Sequence, residues 1–430
     1  MFPQRDSASA LLVYLVMSGV KTFATALILT ILAIYYVTVV GMNPFQLVLA
    51  GTVFEGAILL FEVPTGVVAD TFGRRRSVII GMLILGAALV LEGMVPLVAA
   101  VLIAEAIGGV GETFLSGATD AWLADEIGEA QVGRVYLRAA QINRFIGIAG
   151  MLASVGLASI QLNLPIVLGG ALYLALGLFL ALCMPEHGFR PAPRNARAGW
   201  RPVVATLGEG VEMVRTRPLL LALLAVNLFA GAASEGFDRL WEAHLLLGFT
   251  FPTLGALKPV VWFGIINVGA AAASLAVTAV YQRRLDAISR DSAATTRVLL
   301  AINTFLVASV IVFGLAGSFA LAFAALMVKA ILSSLGTPLY QTWLVQQTSP
   351  KARATVLSLS NQSGALGETV GGPVIGAIGT VVSLRAALVV AGVLLAPVVA
   401  LYARTMQHGA QDAAARAEQA TRAAIDEIGA

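Results

Sequence analysis

The chain has 430 residues, of which 58% are hydrophobic and only 12% are charged. A soluble domain carries about 25% charged residues, so this composition is typical of a protein embedded in lipid. The formal net charge is +3, but the basic residues are scattered over loop positions, which argues against nucleic-acid binding. The single Cys183 excludes an internal disulfide, and neither a His/Cys cluster nor a nucleotide-binding Gly-x-x-x-x-Gly-Lys-[Ser/Thr] loop is found. We therefore expect no metal, no cofactor and no enzymatic activity.

Twelve segments are apolar over the roughly 20 residues that a membrane-spanning helix requires. They lie at about 10–38, 46–69, 77–97, 99–123, 139–161, 164–184, 219–247, 259–281, 298–316, 319–343, 356–381 and 384–404. The first segment is too long for the core of a signal peptide, which spans about 7–15 residues, so we expect it to stay on the protein. The sequence thus predicts an all-α membrane protein with twelve transmembrane helices.

The distribution of charge predicts the orientation of these helices. All but five of the 27 Lys and Arg residues lie in loops on one side, at helix ends on that side, or in the tails. Positively charged loops face the cytoplasm, so we expect both termini in the cytoplasm and the helices in the inner (plasma) membrane.

A Pro/Arg-rich linker predicts two domains. We expect an amino-terminal six-helix bundle at 1–184, a cytoplasmic linker with an amphipathic helix at 185–217, a carboxy-terminal bundle at 218–404, and a cytoplasmic tail at 405–430. Chains with six helices on each side of a linker usually carry two similar halves. A repeat is also visible, because Arg134 and Arg353 each begin a stretch with polar amides that leads into a glycine-rich segment.

The turn between the second and third segments carries the most specific motif, Gly-x-x-x-Asp-x-x-Gly-Arg-Arg. It is formed by Gly66, Asp70, Gly73, Arg74 and Arg75. A turn that only fixes orientation needs arginines but no Asp-x-x-Gly. The motif resembles the loop between the second and third helices of the major facilitator superfamily of transporters. That resemblance implies a cytoplasmic gate, in which Asp70 faces the amino end of a helix in the other half and Arg74 pairs with an acid of the fourth helix. Asp125 is the best candidate for that acid.

The resemblance covers residues about 10–404 and implies a monomer with two pseudo-symmetric six-helix bundles around a central site. Segments 61–70 and 116–125 are most similar to a drug-efflux branch of bacterial facilitators, a branch that is similar to the macrolide and tetracycline exporters. In this superfamily the central cavity is lined by helices 1, 2, 4, 5, 7, 8, 10 and 11.

Many ionisable residues lie inside the predicted spans, where a charge costs a few kcal/mol at least and therefore faces a cavity or a partner. The candidates for the cavity are Lys21, Glu55, Glu62, Glu112, Arg144, Glu235, Asp238, Lys329 and Glu368. Glu105, Arg239 and Glu242 belong to the same set, whereas Glu92 lies near the outer end of the third segment. Glu62 precedes Pro64 and is a candidate for anchoring the gate instead.

Two interpretations of these charges stay open. In the first, a desolvated acid binds and releases a proton as the cavity alternates between sides, with Glu112 and Glu235 the first candidates and Glu368 the third. In the second, the charges neutralise each other as structural pairs, such as Lys21 with an acid across the cavity or Arg144 with Glu112.

Three functions follow as hypotheses. The first is proton-coupled export of small amphiphilic compounds, which is drug efflux by an antiporter and confers multidrug resistance. The second is uptake or exchange of a polar or anionic metabolite or ion, with Lys21, Arg144 and Lys329 binding the anion. The third is a lipid-handling flippase or a non-transporting receptor. In each case we expect a small-molecule ligand and a lipid bilayer as partners, and protons as the coupling ion in the first.

Overall fold

The computed structural model describes residues 4–190, 218–253, 255, 258–288, 291–346 and 353–406. These residues form long helices joined by short turns, and the part of the chain described here contains no strand. The predicted all-α fold is therefore confirmed. The predicted amphipathic helix of the linker lies outside the described residues, as does most of the predicted carboxy-terminal tail.

We number the helices α1–α12 and count an interrupted helix once. They are α1 (Gln4–Leu29, continued by Leu32–Tyr35 and a π-helical turn at Tyr36–Val40), α2 (Pro44–Phe72), α3 (Arg74–Met94), α4 (Val98–Leu115, continued by Ala118–Ile127), α5 (Glu129–Ile160), α6 (Leu164–Cys183), α7 (Pro218–Gly248), α8 (Val260–Ile288), α9 (Ser292–Leu315), α10 (Phe319–Gln346), α11 (Arg353–Val381) and α12 (Leu384–Leu394, within a span that runs to Met406).

Each predicted span coincides with one of these helices, although α5 begins ten residues before the predicted start at residue 139. Within the described ranges, eleven helices are long and apolar enough to cross a membrane. The exception is α11, which has 29 residues but carries several glycines, Glu368 and Pro373. These residues lower its mean hydropathy, and its crossing of the membrane stays a prediction.

The turns around α2 show how local sequence sets the helix ends. Asn43 accepts a hydrogen bond from the Gln46 N–H and the Gln46 side chain accepts one from the Asn43 N–H, so both free donors are satisfied in a capping box with Pro44 at the first helical position. At the other end Gly73 has φ +114°, which side-chain-bearing residues rarely adopt. Gly73 therefore allows the chain to reverse from α2 into α3 within one residue.

The chain forms two compact units. The first unit comprises the described residues of Met1–Val204, Glu235–Ala271 and Thr369–Ala387, and the second comprises those of Ala205–Ser234, Ala272–Glu368 and Leu388–Ala430. The first unit thus contains α1–α6 and parts of α7, α8, α11 and α12. The division into two six-helix bundles, which was based on the linker and supported by the sequence repeat, stays a prediction.

Close helix crossings hold the first unit together, with α3 packed between α4 and α6 and with α1 packed on α5 and α6. At the crossing of α3 and α6, a Cβ atom built on Gly86 would lie 2.8 Å from the Gly170 carbonyl oxygen. A Cβ atom on Gly170 would lie 2.9 Å from the Gly86 oxygen. The two backbones are in direct contact, as small residues allow in membrane helices.

The second unit has its own apolar core around Trp343 and Tyr402, whose ring centroids are 5.5 Å apart. A polar contact joins α7, α10 and α11 beside this core. The Asn227 side chain donates to Tyr340 and to Ser360, the latter at 2.7 Å. The core and this network fix the three helices to each other.

Candidate functional site: charged groups inside the first unit

The central ion pair joins α1 and α4. Lys21 Nζ donates to Glu112 Oε1 at 3.0 Å and to Oε2 at 3.3 Å, and the two side chains are 36% and 31% exposed. The pair lines a cavity of about 230 Å³ in the first unit. Of the pairings left open by the sequence, Glu112 adopts the one with Lys21. Arg144 lies exposed on α5.

The cavity is also lined by an acid and an aromatic ring. Asp120 lines the cavity and accepts a hydrogen bond from the Tyr136 hydroxyl at 2.8 Å. Tyr14, which also lines it, packs against Tyr136 with 5.9 Å between ring centroids. Sequence reasoning missed Asp120, Tyr14 and Tyr136 as site residues. The available signal was the spacing of seven residues between Tyr14 and Lys21, which places them on the same face of α1.

The charges of the cavity add up to a negative site. With Lys21 and Glu112 neutralising each other, the Asp120 carboxylate leaves one net negative charge beside two aromatic rings. Aromatic faces attract organic cations, and a neighbouring carboxylate strengthens that preference. The arrangement can therefore hold a molecule that combines positive charge with apolar surface.

A second ion pair lies near the end of the first unit that is opposite the Gly73 turn. Arg239 Nε donates to Glu235 Oε1 at 3.0 Å, one turn apart on α7, and the Glu235 side chain is only 10% exposed. The pair packs on α2 at Gly51, where an added Cβ atom would overlap Glu235 Oε1 and Arg239 Nε. On α11, a Cβ atom at Gly372 would lie 3.0 Å from Glu235 Cγ. Glycine at these positions makes the space for the pair.

A buried cluster of oxygen atoms lies near the same end. Tyr36 on α1 contacts Glu92 of α3 and Glu105 of α4, and all three residues are at least 92% buried. Sequence reasoning placed Glu92 outside the cavity and gave Tyr36 no role. Glu242 of α7 is also buried, at 6% exposed.

Two of the predicted gate residues, Arg74 and Asp125, are in contact beside the turn at Gly73. Arg74 donates to Asp125, the acid expected from the resemblance, and to the Ala121 carbonyl oxygen. The Arg75 backbone N–H donates to Glu186 Oε1 at 2.8 Å, an acid that sequence reasoning missed. Gly66 is half-buried and Asp70 is exposed at the end of α2. The role of this turn as a gate, and the position of Asp70 against the other half, stay predictions.

The remaining candidates are distributed over both units. In the first unit, Glu55 is half-buried on α2, whereas Glu62 and Asp238 are exposed. Lys329 and Glu368 are half-buried and belong to the second unit. Within the described ranges, no group of three or more His, Cys, Asp or Glu side chains could hold a metal ion.

We expect a measurable coupling between Arg74 and Asp125. Their side chains are 22% and 28% exposed, so a double-mutant cycle with Arg74→Ala and Asp125→Ala should give a coupling free energy of about 1 kcal/mol in thermal unfolding of the detergent-purified protein. Arg76 is exposed and is the matched control, because a cycle of Arg76→Ala with Asp125→Ala should give a value near zero. Equal coupling in both cycles would show that the Arg74 contact has no specific role.

Comparison with known proteins identifies the family. A sequence model described as the Major Facilitator Superfamily matches residues 14–302. An uncharacterized MFS-type transporter, YxaM of Bacillus subtilis (strain 168), is 22% identical over 358 residues, which are 83% of this chain and 86% of the relative.

Solved structures share the fold at low sequence identity. The nucleoside transporter NupG superposes with a TM-score of 0.72 at 14% identity and covers 92% of this chain and 98% of its own. The peptide transporter POT in complex with sulfate has a TM-score of 0.71 at 14% identity, covering 95% and 98%. A bacterial homolog of the human lysosomal transporter Spinster, inward-facing and unoccupied, has a TM-score of 0.69 at 15% identity, covering 94% and 98%. The chain belongs to the Major Facilitator Superfamily of membrane transporters.

Proposed function

We propose that this transporter exports small amphiphilic compounds, with positively charged ones preferred, in exchange for protons. The observation that carries the proposal is the Lys21–Glu112 pair at the wall of a cavity that is also lined by Asp120 and Tyr14, with the Tyr136 ring packed on Tyr14. A charged pair inside a membrane helix bundle is costly and usually marks a substrate or ion pathway. The excess of acid over base suits a cationic substrate.

Exchange can occur at the Glu112 carboxylate. We propose that Glu112 alternates between an anion paired with Lys21 and a protonated carboxyl group. A proton that binds Glu112 removes the charge and releases Lys21, and a cationic substrate that enters beside Glu112 and Asp120 favours the ionised form and expels the proton. Proton and substrate compete for one negative charge. When the proton leaves, the site can bind substrate, and when the substrate leaves, the site can bind a proton.

The contacts at the other end of the first unit support a conformation that is closed there. The Phe45 N–H at the start of α2 donates to Thr380 Oγ1 of α11 at 2.8 Å, and Lys258, before α8, donates to the Ser159 carbonyl oxygen of α5 at 2.5 Å. In our proposal the Glu235–Arg239 pair belongs to this closure, which opens when the cavity turns to the other side. We further propose a monomer in the plasma membrane with both termini in the cytoplasm and the Gly73 turn on the cytoplasmic side.

Substrate-induced proton release tests the exchange step. When a cationic amphiphile such as tetraphenylphosphonium is added to detergent-purified protein in weak buffer, at a pH low enough for Glu112 to carry a proton, we expect the wild type to release protons. Glu112→Gln should abolish the release, because a glutamine cannot lose a proton, and Glu235→Gln should reduce it if the closure also exchanges protons. Glu129→Gln, at an exposed position at the start of α5, is the matched control. Equal release from the wild type and Glu112→Gln would contradict the assignment.

A second function, uptake or exchange of a polar or anionic metabolite, is favoured by the presence of Lys21 in the cavity. NupG and POT, which share the fold, are named as nucleoside and peptide transporters. Growth protection separates the two functions: an exporter raises the tolerated concentration of cationic drugs, whereas an importer leaves it unchanged and accelerates uptake of a nutrient.

A further inference from the structure

One phenol lies between two glutamates at the end of the first unit opposite the Gly73 turn. The Tyr36 hydroxyl oxygen is 2.5 Å from Glu92 Oε1 and 2.9 Å from Glu105 Oε1. Tyr36 is 2% exposed, Glu92 3% and Glu105 8%. The three side chains, which come from α1, α3 and α4, therefore form a chain of carboxyl, phenol and carboxyl groups that is shielded from water.

Counting hydrogens shows that this chain needs one more proton than ionised glutamates allow. Both oxygen–oxygen distances are hydrogen-bond distances, so each contact requires a hydrogen between its two atoms. A phenol has one hydrogen to donate, and an ionised carboxylate can only accept. Tyr36 therefore accounts for one of the two contacts. The hydrogen of the other must be carried by Glu92 or Glu105.

The charges around the cluster also indicate that one of the two glutamates carries a proton. The charged groups that act on it from the neighbouring helices are Arg239 and Glu235 of α7 and Glu55 of α2. Arg239 is already paired with Glu235. Within the described ranges, neither Glu92 nor Glu105 has an ion-pair partner. Two ionised glutamates around one buried hydroxyl would leave negative charge uncompensated, at a cost of several kcal/mol for each ion.

The backbone of α1 is adapted to this contact. Its last turn, Tyr36–Val40, is a π-helix, and the Met42 N–H donates to the Tyr36 carbonyl oxygen at 3.0 Å before the chain leaves through Gly41. Single π-helical turns are rare and are frequently found at functional sites. Here the turn begins at the second of two adjacent tyrosines, which have different partners: Tyr35 donates to the Glu92 carbonyl oxygen at 3.1 Å, whereas Tyr36 lies between α3 and α4.

We propose that Tyr36, Glu92 and Glu105 form a latch that holds one proton between the two carboxyl groups and joins α1, α3 and α4 at this end. When the proton is lost, Glu92 and Glu105 are both carboxylates and the Tyr36 hydroxyl has only one hydrogen to donate to them. One of the two hydrogen bonds is then broken, and the two negative charges repel each other. The latch is thus sensitive to pH and loosens this end of the first unit when it is deprotonated. It is a property of the resting protein and does not depend on the proposed export.

Infrared spectroscopy of the substrate-free protein tests the proton directly. At neutral pH the wild type should show the C=O stretch of a protonated carboxylic acid that exchanges slowly in deuterated water. Either Glu92→Gln or Glu105→Gln should lose this band, because the amide N–H supplies the missing hydrogen and the remaining glutamate ionises. The exposed Glu129→Gln is the control and should keep the band. A band of equal intensity in the wild type and in both cluster variants would overturn the proposal.

A second measurement keeps the test decisive if a glutamine variant does not fold. Tyr36→Phe keeps the ring and removes the bridging hydroxyl, so the band should shift in frequency, and an unshifted band would also overturn the proposal.

The pH dependence of thermal unfolding adds a further readout. Because the folded state holds a proton that the unfolded chain releases at neutral pH, the apparent melting temperature should fall as the pH rises. Glu105→Gln should flatten this fall, whereas an unchanged slope would contradict the latch.

Discussion

Gly170→Leu is expected to prevent stable packing of the first unit. A Cβ atom at this position would lie 2.8 Å from the Val90 backbone N and 2.9 Å from the Gly86 carbonyl oxygen. These are backbone atoms of α3, so the clash cannot be relieved by a change of side-chain rotamer. The two helices would have to separate, and we expect a loss of about 3 kcal/mol or more from overpacking.

The yield of monodisperse protein after detergent extraction, and its apparent melting temperature, check this expectation. Gly156→Leu is the matched control, because it introduces the same side chain into α5 at a position where a Cβ atom has no neighbour within 4 Å. We expect near wild-type yield from the control and little or no folded protein from Gly170→Leu. Equal yields would show that α3 and α6 are not packed as closely as the structure indicates.

Arg239→Leu is expected to have the second-largest effect on stability. Removal of the guanidinium leaves the Glu235 carboxylate, whose side chain is 10% exposed, without its partner between α2 and α11. Breaking a buried ion pair at one partner typically costs about 3–5 kcal/mol. We expect a value near the lower end of that range here, because the Arg239 side chain is 26% exposed and water can partly replace it.

The double variant distinguishes lost charge balance from lost packing. Arg239→Leu combined with Glu235→Gln removes both charges, so it should recover most of the apparent melting temperature lost in Arg239→Leu alone. If the double variant is as unstable as the single one, the ion pair is not what stabilises this contact. A wild-type melting temperature in Arg239→Leu alone would also show that the ion pair does not stabilise this contact.

The sequence predicted the features that depend on local pattern. Apolar runs of sufficient length located the twelve helices of the described ranges, because a membrane helix satisfies its backbone hydrogen bonds within one segment. The Gly-x-x-x-Asp-x-x-Gly-Arg-Arg motif located the turn at Gly73, and with it the contact between Arg74 and Asp125. The pairing of Lys21 with an acid was one of the two alternatives, and the sequence could not choose its partner.

The features that were missed depend on the rotation and depth of neighbouring helices. Nearly every face of α1, α3 and α4 is apolar, so periodicity does not tell which face meets which neighbour. Glu92 therefore seemed to lie outside the central site, although it meets Glu105 through Tyr36. That contact also requires the π-helical turn at the end of α1, for which the sequence has no signal. The space for the Glu235–Arg239 pair likewise depends on Gly51, which is distant in the chain.

Transport in proteoliposomes tests the central claim most directly, namely that Glu112 exchanges a proton for a cationic substrate in the cavity of the first unit. An imposed pH gradient should drive accumulation of labelled tetraphenylphosphonium by the wild type. In Glu112→Gln the gradient should drive no accumulation, while exchange of labelled for unlabelled substrate without a gradient continues. Accumulation by Glu112→Gln that follows the gradient as in the wild type, or a wild type that is indifferent to the gradient, would contradict the account.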